Sequence, residues 1–147
     1  MFILMLTMVF IKNMSFAQEE ENIKYVIKEY YKAIALGDLD TAMKYISKDY
    51  SDKDNQGRPV DYQRFKTRLE DMINQRQKNY VDYAINELEI EIISLEGSLA
   101  QAKVEYIWSG FNLNKLKEES AKRNLLIDLK KEDGVWRIIK FKLSSSN

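Results

Sequence analysis

Two hydrophobic periods divide the chain. In the first half, Ile23, Val26, Ile27, Tyr30 and Ile34 fall at i, i+3, i+4, i+7 and i+11, one stripe of a helix. Gly37 is placed to end that helix as its C-cap, and Asp38 to open a second, shorter one. The buried face of that second helix is Leu39, Ala42, Met43 and Ile46. Asp61 is a good N-cap for a third, with Tyr62, Phe65, Leu69, Met72, Ile73, Arg76 and Tyr80 along its stripe. Arg76, inside that apolar row, is expected to snorkel from the last turn into water.

From residue 81 the period drops to two. Val81, Tyr83 and Ile85 alternate with Asp82, Ala84 and Asn86, and Leu88, Ile90 and Ile92 alternate with Glu89 and Glu91. The step from Ile85 to Leu88 slips the count by one residue, which predicts a β-bulge in a long, curved strand. Glu96-Gly97-Ser98 reads as a hairpin turn. The next strand carries Ala100, Ala102, Val104, Tyr106 and Trp108 on one face and Gln101, Lys103, Glu105 and Ile107 on the other. A longer connection is expected over 112–120, followed by a strand with Leu125, Ile127 and Leu129, a turn at Glu132-Asp133-Gly134, and the final strand VWRIIKFKL.

Helices first and antiparallel strands afterwards make the fold α+β, with three N-terminal helices packed into a strongly curved sheet. Such a sheet forms a cone, and the small Ala100 and Ala102 among larger neighbours leave room inside it.

Composition narrows the chemistry. The 147 residues, 45% of them hydrophobic, suit one globular domain with one core. Lys plus Arg equals Asp plus Glu at 23 each, so there is no basic footprint and nucleic acid is not an expected partner. With no cysteine and no histidine, thiol nucleophiles, disulfides, Cys/His zinc sites and imidazole catalysis are excluded. Any chemistry must run on carboxylates, tyrosines, Lys or Arg. No cofactor and no metal are expected.

The N-terminus adds a second segment. Phe2 to Ile11 is apolar apart from Thr7, too short to span a bilayer and long enough for a signal-peptide core. Ser15-Phe16-Ala17 is a small-x-small cleavage pattern. The expectation is a signal peptide over 1–17, cleaved after Ala17, and one domain over 18–147; because no Lys or Arg precedes the apolar run and Lys12 interrupts the approach to the cleavage site, the alternative is an uncleaved apolar N-terminal helix. The first reading places the mature chain in the periplasm or outside the cell, with no stable membrane insertion after cleavage.

The stretch KDYSDKDNQGRPVD, Lys48 to Asp61, admits three readings. As a calcium loop, Asp52-x-Asp54-x-Gln56-Gly57 begins correctly, but Gln63 stands where the closing bidentate acid belongs. As a hairpin, Asn55-Gln56-Gly57 supplies positive φ and Pro59 begins an edge segment that needs no N–H. As a catalytic loop, it carries a carboxylate base, which needs a dry surround to raise its pKa. Asp49 and Asp52 are expected to face water.

EYYKAIALGDLDTAMKYISKDYSDKDNQGR, together with the later DLKKEDGVWRIIKFKL, resembles the nuclear-transport-factor-2-like superfamily, which includes ketosteroid isomerase-like and SnoaL-like proteins. The shared pattern is an aromatic helix running into Ala-x-x-x-Gly-Asp, a short helix, an Asp-x-Gly-type loop and a Gly-x-Trp-x-Ile strand. The order of elements over residues 19–143 agrees with it. The resemblance to the ketosteroid isomerase-like branch implies Tyr30 as oxyanion donor, Asp54 as general base and Asp128 as a second oxyanion donor, a carboxylic acid kept protonated by an apolar site. Among the nine tyrosines and two tryptophans, the candidate ligand lining is Tyr30, Tyr62, Tyr106 and Trp108; the alternative for most of these aromatics is ordinary core, since Tyr30, Tyr62 and Tyr80 lie on helix stripes and aromatics are favoured in strands. The resemblance also implies a homodimer through the sheet face turned away from the helices, with Ile93, Ile107, Trp136 and Ile138 supplying apolar contacts. Fold does not fix function in this group. The expected role is an exported domain that binds a small apolar molecule or a protein partner. The alternative is an enzyme moving a proton next to a carbonyl.

Overall fold

The computed structural model describes residues 2–144, with side chains from Ser15 onward. The apolar run of the expected signal peptide lies outside the residues whose side chains are described. Among the described residues, no helix is long and apolar enough to cross a membrane.

Three helices come first: α1 (Phe2–Leu36), α2 (Leu39–Lys44) and α3 (Tyr62–Asn79). The α1 stripe is buried as expected and is wider by Tyr31 and Ala33. Gly37 closes the helix at φ +73°. Its N–H donates to the Ile34 carbonyl at 3.1 Å, and the Asp38 N–H to that of Ala33 at 2.9 Å, the paired bonds of a Schellman motif. Asp38 then accepts from the Thr41 N–H at 3.0 Å, and Asp61 from the Arg64 N–H at 2.8 Å, so both expected N-caps are in place.

Arg76 does not snorkel into water. Its guanidinium donates to the Ile34 carbonyl at 2.7 Å and to the Ala35 carbonyl at 3.4 Å, and it lies over the Tyr83 ring at 4.1 Å. The last carbonyls of α1 have no partner within their own helix, and a half-buried guanidinium satisfies them. One side chain thus ties α1, α3 and the sheet together.

Between α2 and α3 the loop folds into a small hairpin, β1 (Ser51–Lys53) against β2 (Pro59–Asp61), with Lys53 opposite Pro59. The remaining chain forms one antiparallel sheet in the order β3 (Tyr80–Glu96), β4 (Leu99–Asn112), β5 (Lys117–Glu132) and β6 (Val135–Leu143). The expected bulge sits between Asn86 and Glu89, with two further register shifts at Val81/Ala84 and Ile92/Ser94. Each shift bends the strand and adds twist.

Two expectations about this sheet are corrected. The connection placed over 112–120 is a tight turn over 113–116, because Asn112 Oδ1 accepts the N–H groups of Asn114 and Lys115 at 2.9 and 3.0 Å. The strand resumes at Lys117 and pairs with β4 over its whole length. Residues 117–124 are polar on both faces, so no alternation marked them as strand. Trp136 and Ile138 are not on the outer face either. They are 2% and 0% exposed, on the concave side with Ile127 and Leu129. Ile107 does lie on the outer face, and Ile93 is exposed.

The concave side is the core. Ile23 and Ile27 of α1 pack with Ala102, Val104, Ile127, Leu129 and Ile138 of the sheet, all fully buried. The segment after α2 docks on the free edge of β6: the Ser47 N–H donates to the Ile138 carbonyl, and the Ile138 N–H to the Tyr45 carbonyl, both at 2.8 Å.

Gly37→Ala tests the α1–α2 corner. A Cβ there would meet Gln77 Nε2 at 2.5 Å and Ile73 Cγ2 at 3.4 Å, in a left-handed conformation. The expected loss is about 1–2 kcal/mol, read as a lower urea midpoint with unchanged slope.

Candidate functional site

The open end of the concave face is not filled. A cavity of about 330 Å³ lies between α1, α3, the β1–β2 hairpin and the sheet. Its walls are aromatic: Tyr30 and Tyr31 from α1, Tyr50 before β1, Phe65 from α3, Tyr106 from β4 and Phe141 from β6. The rings form one connected set. Centroids lie 5.4 Å apart for Tyr30–Phe141, 4.9 Å for Tyr31–Tyr106, 4.5 Å for Tyr50–Phe65 and 5.6 Å for the stacked Phe65–Phe141. Asp52, Lys53 and Arg68 supply its charged groups.

Local sequence explains this convergence. Tyr31 follows Ile23 and Ile27 at steps of four, so it shares their face of α1. On α3, Phe65, Arg68, Leu69 and Met72 occur at i, i+3, i+4 and i+7, and all four line the cavity. Phe141 gets inside through a register shift in β6: Asp128 pairs with Lys140, and Leu129 with Ile138. Strict alternation from Trp136 and Ile138 would have put Lys140 there instead.

Burial governs the tyrosines. It pushes the Tyr30 and Tyr31 phenols well above their ordinary pKa and raises that of Tyr106, with neighbouring phenols adding to the effect at each and Arg123 opposing it at Tyr106. At Tyr50 burial acts first and the Asp52 carboxylate second, again upward. All four therefore stay protonated and can donate a hydrogen bond. Among the described residues, none makes a hydrogen bond to the Tyr30 or Tyr31 hydroxyl.

Of the residues singled out from sequence, Tyr30 and Tyr106 line this cavity. Tyr62 faces a separate cleft, with the Lys48 ammonium 3.8 Å over its ring. Trp108 is on the concave face but at the far end of the sheet. There it packs on Tyr80 and Tyr83 at centroid distances of 5.6 and 5.9 Å.

The two implied catalytic acids are not brought together with Tyr30. Asp128 alternates with Ile127 and Leu129 and so points to the convex face, where Lys142 pairs with it at 2.7 Å and Gln101 donates at 2.8 Å. Asp54 folds back over its own turn. Its Oδ1 accepts the N–H groups of Gln56 and Arg58 at 2.9 and 2.8 Å. Its Oδ2 accepts from Arg58 at 2.7 Å, Arg68 at 2.9 Å and Arg64 at 3.3 Å. Desolvation pushes this carboxyl up, but the Arg58 N–H and the Arg58 and Arg68 guanidiniums outweigh it and hold the group well below the usual carboxylate range. A general base near neutrality needs the opposite shift. The acid that does reach the cavity is Asp52, expected to face water; it lies 3.7 Å from the Lys140 ammonium.

No protein-family model matches the chain, and no curated protein matches it in sequence. Solved structures do match it in fold. A candidate scytalone dehydratase from Novosphingobium aromaticivorans superposes with a TM-score of 0.73 at 12% identity, over 89% of this chain and 86% of that one. A nuclear-transport-factor-2-like superfamily protein from Salmonella enterica gives 0.69 at 14% identity, over 89% and 94%. The association domain of C. elegans CaMKII gives 0.65 at 12% identity, over 88% and 97%. The chain has the nuclear-transport-factor-2-like cone fold. At these identities the likeness is one of fold.

The Asp54 clamp has a pH signature. A carboxyl whose folded pKa is depressed contributes stability that is full above its unfolded pKa of about 3.9 and fades as pH falls toward the folded value. The stability difference between the wild type and Asp54→Asn is expected to be flat from pH 8 to 5 and to shrink below pH 4. Urea titrations at each pH check it. A difference that changes between pH 6 and 8 would mark Asp54 as a raised-pKa base instead.

Proposed function

We propose that the chain is a binding domain for a small, flat, largely apolar molecule that enters the aromatic cup. What supports this is the pairing of ring-lined walls with protonated phenols that lack a partner among the described residues. Apolar walls with a few convergent polar groups are the ordinary make-up of a small-molecule site, and the cavity volume lies within the usual range. An aromatic ligand would stack on Tyr31, Tyr106 or Phe141, and an oxygen substituent would accept from Tyr30 or Tyr31. The structural neighbours include both a candidate dehydratase and an association domain, so the site and not the fold supports this choice.

Export belongs to the same proposal. Among the described residues, Ser15 to Gln18 are exposed and Glu19 is the first held by the body of the fold. Its carboxylate accepts from Trp136 Nε1 at 2.6 Å and pairs with Lys131. Cleavage after Ala17 would keep this Glu19 contact in the mature chain.

Two measurements test these statements. In a melting screen, a saturating flat ligand such as 2-naphthol is expected to raise the melting temperature by on the order of 5–10 °C at 100 times its Kd. Leu125→Trp, which fills the cup, is expected to abolish that shift; equal shifts in both proteins would place the ligand elsewhere. Intact mass of the protein recovered from a secreting host is expected to begin at Gln18. A full-length mass in the exported fraction would overturn the cleavage.

A further inference from the structure

We infer that the ligand of this cup carries a carboxylate, received at the mouth by the free edge of the Arg68 guanidinium. This rests on the binding reading above and adds the chemical class of what is bound.

Three arginines, Arg58, Arg64 and Arg68, converge on one oxygen of Asp54. One carboxylate under three guanidiniums leaves an excess of positive charge at this edge of the cup, and Lys53 adds to it. Asp54, whose side chain is only 7% exposed, is saturated by these contacts and the two N–H groups, so it has no acceptor left for a ligand. The arginines are not equally spent. Arg64 uses one nitrogen on Asp54 and another on the Pro59 carbonyl. Arg58 faces the turn and does not line the cavity. Arg68 lines it, gives Nη2 alone to Asp54, and is 42% exposed.

A guanidinium is a rigid planar fork that suits a carboxylate bidentately. Among the described residues, nothing accepts from Nε or Nη1 of Arg68, and Nη2 gives a single contact to Asp54, so the second N–H of Nη2 together with the adjoining N–H of Nε or Nη1 makes the free bidentate edge. Arg68 also stands one turn from Phe65 on the same α3 face, so a ring stacked on Phe65 or Phe141 brings its substituent to the fork. The one acid lining the cup, Asp52, would repel an anion. It is engaged by the Lys53 N–H at 2.8 Å and sits near Lys140, which reduces that repulsion.

The test uses matched pairs: benzoate, 2-naphthoate and biphenyl-4-carboxylate, each against its methyl ester, by titration calorimetry at pH 7 on the wild-type chain. At least one acid is expected to bind ten times or more tighter than its ester. Arg68→Gln is expected to remove that preference while leaving ester affinity within twofold, and Arg68→Lys to keep part of it. Arg58→Gln, which removes the same charge outside the cup, is expected to change the acid-to-ester ratio by less than twofold. A loss in Arg58→Gln as large as in Arg68→Gln would mean diffuse attraction and overturn the assignment. Acids and esters binding alike would overturn it and leave the cup as an apolar site. Absence of binding by every probe at millimolar concentration would overturn the binding reading itself.

Discussion

Strand β3 runs beside β4 from end to end yet loses register three times, and Asp82 and Glu87 sit at φ +53° and +51° within it. Left-handed backbone at non-glycine residues carries a cost, so the surrounding pairing must hold it there. That constraint bends the sheet. A straight β3 would let the four strands flatten, and the concave side could then not wrap Ile23, Ile27 and Tyr31 of α1. The curvature gathers side chains from α1, α3, β4 and β6 around one space. The Arg76 guanidinium completes the frame by fastening the end of α1 to α3 and to the Tyr83 ring.

Polar chemistry is separated from this interior by position. Asp128 is on the convex face in an ion pair, and Asp54 is consumed by its own arginines. The cup keeps the neutral donors, the phenols, with charge confined to Asp52, Lys53 and Arg68. Phenols raised by burial donate hydrogen bonds but do not remove protons near neutrality.

The fold was legible because its signals were periodic. The helix stripes, the caps at Asp38 and Asp61, the stop at Gly37 and the bulge beyond Ile85 each follow from a local rule. The site was only half legible. Tyr30 and Tyr106 lay on strong stripes. Tyr31 and Arg68 were readable from spacing, at i+4 from Ile27 and i+3 from Phe65, but each competes with a neighbour that fits the stripe better. Phe141 depends on a register shift that the run Ile138-Ile139-Lys140 does not announce, since both isoleucines suit a core. Asp52 and Asp54 differ only in which way a hairpin turns its side chains. That is decided by five donors closing on Asp54, including an arginine fourteen positions away.

The two rims of the sheet also differ in how they meet other molecules. On β6, residues 45–47 already occupy backbone groups of Ile138, so that rim offers little to an incoming strand. On β3, among the described residues, no strand covers the rim, and its length alone would make it a template for self-association. The kinks that hollow the interior interrupt the regular row of amides along that border, and Glu87, Glu89 and Glu91 add like charge beside it. Straightening β3 to enlarge its pairing would therefore cost the chain more than its cup: it would expose a smooth ladder on which copies could polymerise.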